Sequence, residues 1–319
     1  MCLQYWAQVN PLSTVPRPNL FIIGAMKAGT TSLHGYLNAH PDIVMSEPKE
    51  PCYFVHPQEL NWPQIEQLQL WQNEAKYLAL FPDATEAKVI GESSTPYAKF
   101  PAIGQIPERI ARFNPEARFI YVLRDPIERT ISHYLHEVRR GNEHRDMVTA
   151  ISQNPLYTSV SDYDLQLRQY LNYFDLRQFL VLTFEAMTAD TPGTIAQVFE
   201  WLGVDSSFQP PNLTSKAHVT PKTFYQKGRL YRLRYSWPWN QIAELLPNRV
   251  RKLGLKTLIR EVDRDAELVH KQAVTDYLRP LQQSQVRRLS QLLNREFPEW
   301  SVLWGPDAGA RRALRSVGE

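Results

Sequence analysis

Cysteine is almost missing from this chain of 319 residues, which holds only Cys2 and Cys52. Two isolated thiols supply neither a disulfide framework nor the paired spacing of zinc ligands, and they fit a reducing, cytoplasmic setting. Long apolar runs are missing too. No stretch approaches the ~20 residues that a transmembrane helix needs, and the opening MCLQYWAQVNPLSTVPRP lacks the basic segment followed by an apolar one of a secretory leader. Charge of one sign is also lacking: 36 Lys and Arg against 33 Asp and Glu leave +3. That balance, with no nucleic-acid reader motif, argues against a nucleic-acid partner. Internal repeats and low-complexity tracts are absent, so the expectation is a soluble globular protein.

What is present is alternation. Apolar runs at 20–24 (LFIIG), 87–92 (AKVIGE), 118–125 (RFIYVLRD) and 178–185 (QFLVLTFE) are interleaved with segments of helical period. The runs do not alternate apolar with polar, as befits strands covered on both faces. The pattern predicts an α/β fold with a central parallel sheet flanked by helices in three layers. Spacings of three and four residues predict helices at 30–39, 164–174, 194–203 and 273–294. The segment 206–228 has no period and reads as a long, functional loop. Residues 1–18 and 306–319 read as extensions of one domain, 19–305, with a helical C-terminal part.

The segment FIIGAMKAGTTSL, 21–33, is a strand running into a glycine turn and then a helix. Its glycines, Gly24 and Gly29, have the spacing of an ATP-binding loop, but the lysine is Lys27 inside the turn, and Thr30 occupies the usual lysine position. Such a turn gathers backbone N–H groups at the positive end of a helix, which suits a phosphate. Thr30 and Thr31 add hydroxyls, and Lys27 is placed to neutralise charge on a leaving oxygen. The plainer alternative is an ordinary turn with a solvated lysine.

A second anion site is legible in FIYVLRDPIERTISHYLHEVRRG. Asp125 is the expected N-cap, Pro126 the first helical residue and Glu128 the third, a variant capping box. Arg124 before the cap and Ser132 eight residues later can face one ligand, and arginine offers the fork that a terminal phosphate prefers. Arg124 paired with a nearby carboxylate is the competing reading. His133 and His136 lie three apart without a third ligand at zinc-site spacing and read as polar-face or packing residues.

KAGTTSLHGYLNAHPDI together with RDPIERTIS resembles the sulfotransferases that use 3'-phosphoadenosine 5'-phosphosulfate (PAPS), above all their heparan-sulfate and bacterial branch. The resemblance implies that Lys27, Ala28, Gly29, Thr30, Thr31 and Ser32 hold the donor's 5'-phosphate, and that Arg124 and Ser132 hold its 3'-phosphate. Lys227, Gly228 and Arg229 of QKGRL match a segment that closes over the same phosphate, although from the residues alone such a basic triplet is more often a solvated surface. Tyr163 matches an aromatic position near the nucleotide, with a core tyrosine as the alternative. In MSEPKEPCYFV the family's base lines up with Glu50. Glu47 is the fallback, and a surface carboxylate paired with Lys49 is the bland reading. GESSTPYAKF carries Ser93 where the heparan-sulfate enzymes usually have lysine, which weakens the case for a polyanionic sugar acceptor.

The implied activity is sulfuryl transfer from PAPS, without a metal, to a hydroxyl or amine on a small-molecule, carbohydrate or lipid acceptor. A phosphate-loop kinase or NTPase is disfavoured by the missing lysine at position 30 and by the lack of a clear magnesium-binding carboxylate at a strand end. A non-catalytic nucleotide binder is the third reading.

Overall fold

The computed structural model describes residues 17–60, 62–82, 84–211, 213, 223–227 and 259–305. In chain order they form β1 (Leu20–Gly24), α1 (Thr30–Asn38), β2 (Ile43–Met45), α2 (Pro63–Leu68), α3 (Glu74–Leu78), β3 (Val89–Ser93), α4 (Ile106–Phe113) and β4 (Arg118–Leu123). Then come α5 (Pro126–Arg140), α6 (Met147–Gln153), α7 (Leu156–Ser159), α8 (Tyr163–Leu171), β5 (Phe179–Thr183), α9 (Phe184–Ala189) and α10 (Thr191–Leu202). The described part closes with β6 (Thr223–Lys227), β7 (Ile259–Asp263), α11 (Arg264–Glu267), α12 (Lys271–Leu293) and α13 (Ser301–Trp304).

The chain divides into two compact units, Met1–Leu123 with Gln166–Ser215, and Arg124–Leu165 with Lys216–Glu319. The first holds a parallel sheet in the order β2-β3-β1-β4-β5. Leu20, Phe21, Ile22 and Ile23 in β1 and Phe119 through Leu123 in β4 are fully buried, which explains why these runs are apolar at every position. Phe119 stacks between Phe21 and Phe179 at centroid distances of 5.9 and 4.7 Å, tying β1, β4 and β5 into one core. Because β1 has β3 on one side and β4 on the other, the order reverses beside it, and ligands in such sheets bind beyond the carboxyl ends of the strands there.

In the second unit the anticipated cap of α5 is found. The Asp125 carboxylate accepts from the Ile127 and Glu128 amides at 3.0 and 3.3 Å, and Pro126 opens the helix. Two expectations need correction. The three-residue strand β2 was not anticipated, since it is too short to show a period. The supposed loop at 206–228 contains β6, whose antiparallel partner β7 lies more than thirty residues further along, so no local pattern announces the pairing.

Candidate active site

The turn from β1 to α1 is built around two left-handed residues, Lys27 at φ 74° and Gly29 at φ 86°. A Cβ on Gly29 would stand 2.6 Å from Met187 Cε and 3.0 Å from Phe184 Cδ2, so glycine is required by both conformation and space. Left-handed residues in a turn aim successive N–H groups into a concavity. α1 begins at Thr30 with no side-chain cap and no acidic residue in its first turn, so nothing on the helix itself competes with an anion for its positive end. Ala28 and Thr30 are buried, Lys27, Gly29 and Ser32 are half-buried, and Thr31 is exposed.

Glu50 lies against the carboxyl end of β3. Its amide donates to the Ser93 carbonyl at 3.0 Å, and its Oε1 accepts from Thr95 Oγ1 at 2.8 Å and from Lys49 Nζ at 3.2 Å. The Lys49 pairing therefore exists, yet the two side chains are only 20% and 22% exposed, unlike a solvated surface pair. Glu50 itself is left-handed at φ 60°, as is Cys52 at φ 55°. Glu47 is exposed.

The residue joining these two features is His34, one turn after Thr30 on α1. Its Nδ1 shares a 3.0 Å hydrogen bond with Ser93 Oγ. Burial and the neighbouring Lys49 ammonium bring its imidazole down to about 4, against the opposing pull of Glu50, so it is neutral at pH 7. A buried Ser93 bonded to a neutral imidazole thus stands where the resemblance led one to look for a lysine. Behind it Glu92 is fully buried, its Oε1 accepting from Tyr77 and Tyr97 at 2.7 and 2.8 Å and its Oε2 from Ser94 at 2.7 Å. Burial pushes this carboxyl up to about 7, although all three hydroxyls pull it down.

Arg124, Ser132 and Tyr163 belong to the second unit. Arg124 is half-buried, with Nη2 3.5 Å from Glu128 Oε2, while Glu128 also binds Lys271 Nζ at 2.7 Å. Ser132 is half-buried on α5. Tyr163 is 1% exposed, and its hydroxyl donates to the Arg124 carbonyl at 2.7 Å. The tyrosine therefore fixes the backbone of Arg124 from the core and offers almost no surface of its own. His133, 2% exposed, packs on Tyr157 at 4.8 Å between ring centroids. The backbone of Lys227 ends β6 opposite Ile259, whereas Gly228 and Arg229 lie outside the described residues.

Sequence reasoning passed over His34, Glu92 and Thr95. His34 had a signal, since it follows Thr30 by four residues and shares its helix face. Glu92 had none, because a glutamate in an apolar strand looks the same before and after its three hydroxyl partners are known.

The model of the sulfotransferase family matches residues 18–210. Human heparan sulfate glucosamine 3-O-sulfotransferase 6 is 27% identical over 218 residues, covering 65% of this chain and 55% of that protein. Human bifunctional heparan sulfate N-deacetylase/N-sulfotransferase 2 is 27% identical over 203 residues, covering 59% of this chain and 22% of that protein. The chain thus spans about half the length of the first and about a fifth of the second. The crystal structure of a sulfotransferase from Alicyclobacillus acidocaldarius shares the fold, with a TM-score of 0.64 at 24% identity over 90% of this chain and 99% of that one.

Proposed function

Given that the chain belongs to the sulfotransferase family, we propose that it moves a sulfuryl group from PAPS to a hydroxyl or amine. The observation that carries this reading is the β1–α1 turn, which presents an uncapped helix start, a left-handed glycine and a lysine at one place. Thr30, Thr31 and the turn amides hold the 5'-phosphate, with Ala28 and Ser32 completing the turn. Lys27 stabilises charge as it develops on the phosphate oxygen that leaves sulfur. Glu50, oriented by Thr95, takes the acceptor proton. Arg124 and Ser132 are assigned to the 3'-phosphate, Lys227, Gly228 and Arg229 to the segment beside it, and Tyr163 to setting the Arg124 backbone. The working domain in this reading is 19–305, and the compartment is the cytoplasm, in keeping with two cysteines.

Among acceptors, the neutral His34–Ser93 pair favours one whose group facing Ser93 is uncharged, since that pair offers hydrogen bonding without charge and the nearby Lys49 ammonium is engaged by Glu50 at 3.2 Å. The test is incubation with sulfur-labelled PAPS and a panel of sugars, phenols, lipids and amines, following label into product. No label transfer, together with equal stabilisation by ATP-magnesium and 3'-phosphoadenosine 5'-phosphate, would move the chain to the kinase or NTPase reading.

A further inference from the structure

The segment from Lys49 to Phe54 carries the proposed base, and its conformation is not one the chain adopts unaided. Glu50 and Cys52 both hold positive φ, at 60° and 55°, a region in which a side chain with a Cβ is disfavoured. The surroundings must hold it there. Gln64 Nε2 donates to the Lys49 and Glu50 carbonyls at 2.9 and 3.0 Å. Arg109 Nη1 donates to the Phe54 carbonyl at 2.7 Å. Glu50 itself is tied to the Ser93 carbonyl and the Thr95 hydroxyl, and two further ties come from the stretch after β3: Ser94 Oγ accepts from the Cys52 amide at 3.1 Å, and the Tyr97 hydroxyl accepts from the Phe54 amide at 3.3 Å.

Both acceptors are hydroxyls that could turn away. What fixes them is Glu92, to which Ser94 and Tyr97 donate their own protons at 2.7 and 2.8 Å, leaving their lone pairs to face the two amides. Tyr77 from α3 adds a third donor at 2.7 Å, so both carboxylate oxygens are engaged. A glutamate at 0% exposure is costly unless satisfied, and here it is satisfied by three hydroxyls, two of which are themselves committed to the Glu50 segment.

We propose that Glu92 is a positioning residue: by fixing the Ser94 and Tyr97 hydroxyls as acceptors for the Cys52 and Phe54 amides, it holds Glu50 in the orientation needed to take the acceptor proton. The inference rests on the sulfuryl-transfer reading for its consequence and on geometry alone for its mechanism. Glu92→Gln keeps an oxygen for the two tyrosines and offers Ser94 an N–H, so it should preserve the anchor. Glu92→Leu removes it. Ser94→Ala and Tyr97→Phe each remove one amide acceptor and serve if the leucine variant does not fold.

Two measurements decide it. By hydrogen–deuterium exchange, the Cys52 amide should exchange at least ~10-fold faster in Ser94→Ala, the Phe54 amide likewise in Tyr97→Phe, and both in Glu92→Leu, with Glu92→Gln close to wild type and α1 unchanged. In sulfuryl transfer, Glu92→Leu and Ser94→Ala should lower kcat ~10-fold or more with donor KM within ~2-fold. In a Glu50→Gln background the same changes should cost less than ~2-fold further, because they act through the group already removed. Unchanged amide exchange, or losses that multiply in full with that of Glu50→Gln, would overturn the proposal. A wild-type protein that transfers no label from PAPS would instead overturn the function, while the exchange result still decides the anchor.

Discussion

Replacing Gly29 with alanine tests the turn on which the donor site depends. At φ 86° an alanine is strained by ~1–2 kcal/mol relative to glycine. The added methyl would also lie 2.6 Å from Met187 Cε and 3.0 Å from Phe184 Cδ2. The methionine end can swing aside, but the phenylalanine ring cannot without moving α9, and overpacking of this kind costs ~1–3 kcal/mol. The sum is a loss of ~2–5 kcal/mol, measured by urea denaturation, with a matching weakening of 3'-phosphoadenosine 5'-phosphate binding by calorimetry. Met187→Ala removes part of the clash but none of the dihedral strain, so the double variant should be ~1 kcal/mol more stable than the sum of the two single losses predicts. A Gly29→Ala protein that loses less than ~0.5 kcal/mol and binds the nucleotide normally would refute both the left-handed turn and its role as the phosphate cradle.

Arg124→Ala should weaken 3'-phosphoadenosine 5'-phosphate by ~2 kcal/mol while leaving adenosine 5'-phosphate nearly unaffected, because Glu128 keeps Lys271 at 2.7 Å and the fold loses little. Equal losses for the two nucleotides, measured by calorimetry, would remove Arg124 from the 3'-phosphate. Lys27→Ala should retain the fold and lose turnover on the order of 100-fold, read from initial rates at saturating donor. Stability against pH should show two opposing contributions. Glu92, raised from 4.5 to about 7, binds more protons folded than unfolded between those values, so its contribution falls as pH rises through 7. His34, lowered from 6.5 to about 4, binds more protons unfolded, so its contribution is complete above 6.5 and is lost as pH falls toward 4. Each amounts to ~3 kcal/mol by the shift, and they offset between 4.5 and 6.5. Denaturation of Glu92→Gln should therefore unmask a rise in stability from pH 4 to 6.5, and His34→Gln a fall from 4.5 to 7; a Glu92→Gln profile that parallels wild type would refute the assignment to Glu92.

Four of the five sheet strands, all but β2, and the two turns that leave β1 and β4 were legible in the sequence. Strands buried on both faces must be apolar throughout, a helix that starts after Gly29 or Asp125 must show its cap or its glycine, and these are local demands that local residues answer. The same holds for Thr30 and Lys27, whose meaning follows from their place in a strand–turn–helix. The surroundings of Glu50 follow from long-range packing. Ser93 and Thr95 are more than forty residues away from it, and the Glu92 carboxylate is engaged by Tyr77 from fifteen residues earlier and by Ser94 and Tyr97 after it. Whether a glutamate is a solvated surface charge or a buried anchor depends on what is folded over it, and burial and hydrogen-bond partners over such separations leave no period or motif in the chain. Tyr163 makes the same point, for it was legible as an aromatic near a helix start, but only packing showed that its hydroxyl is committed to the backbone of Arg124.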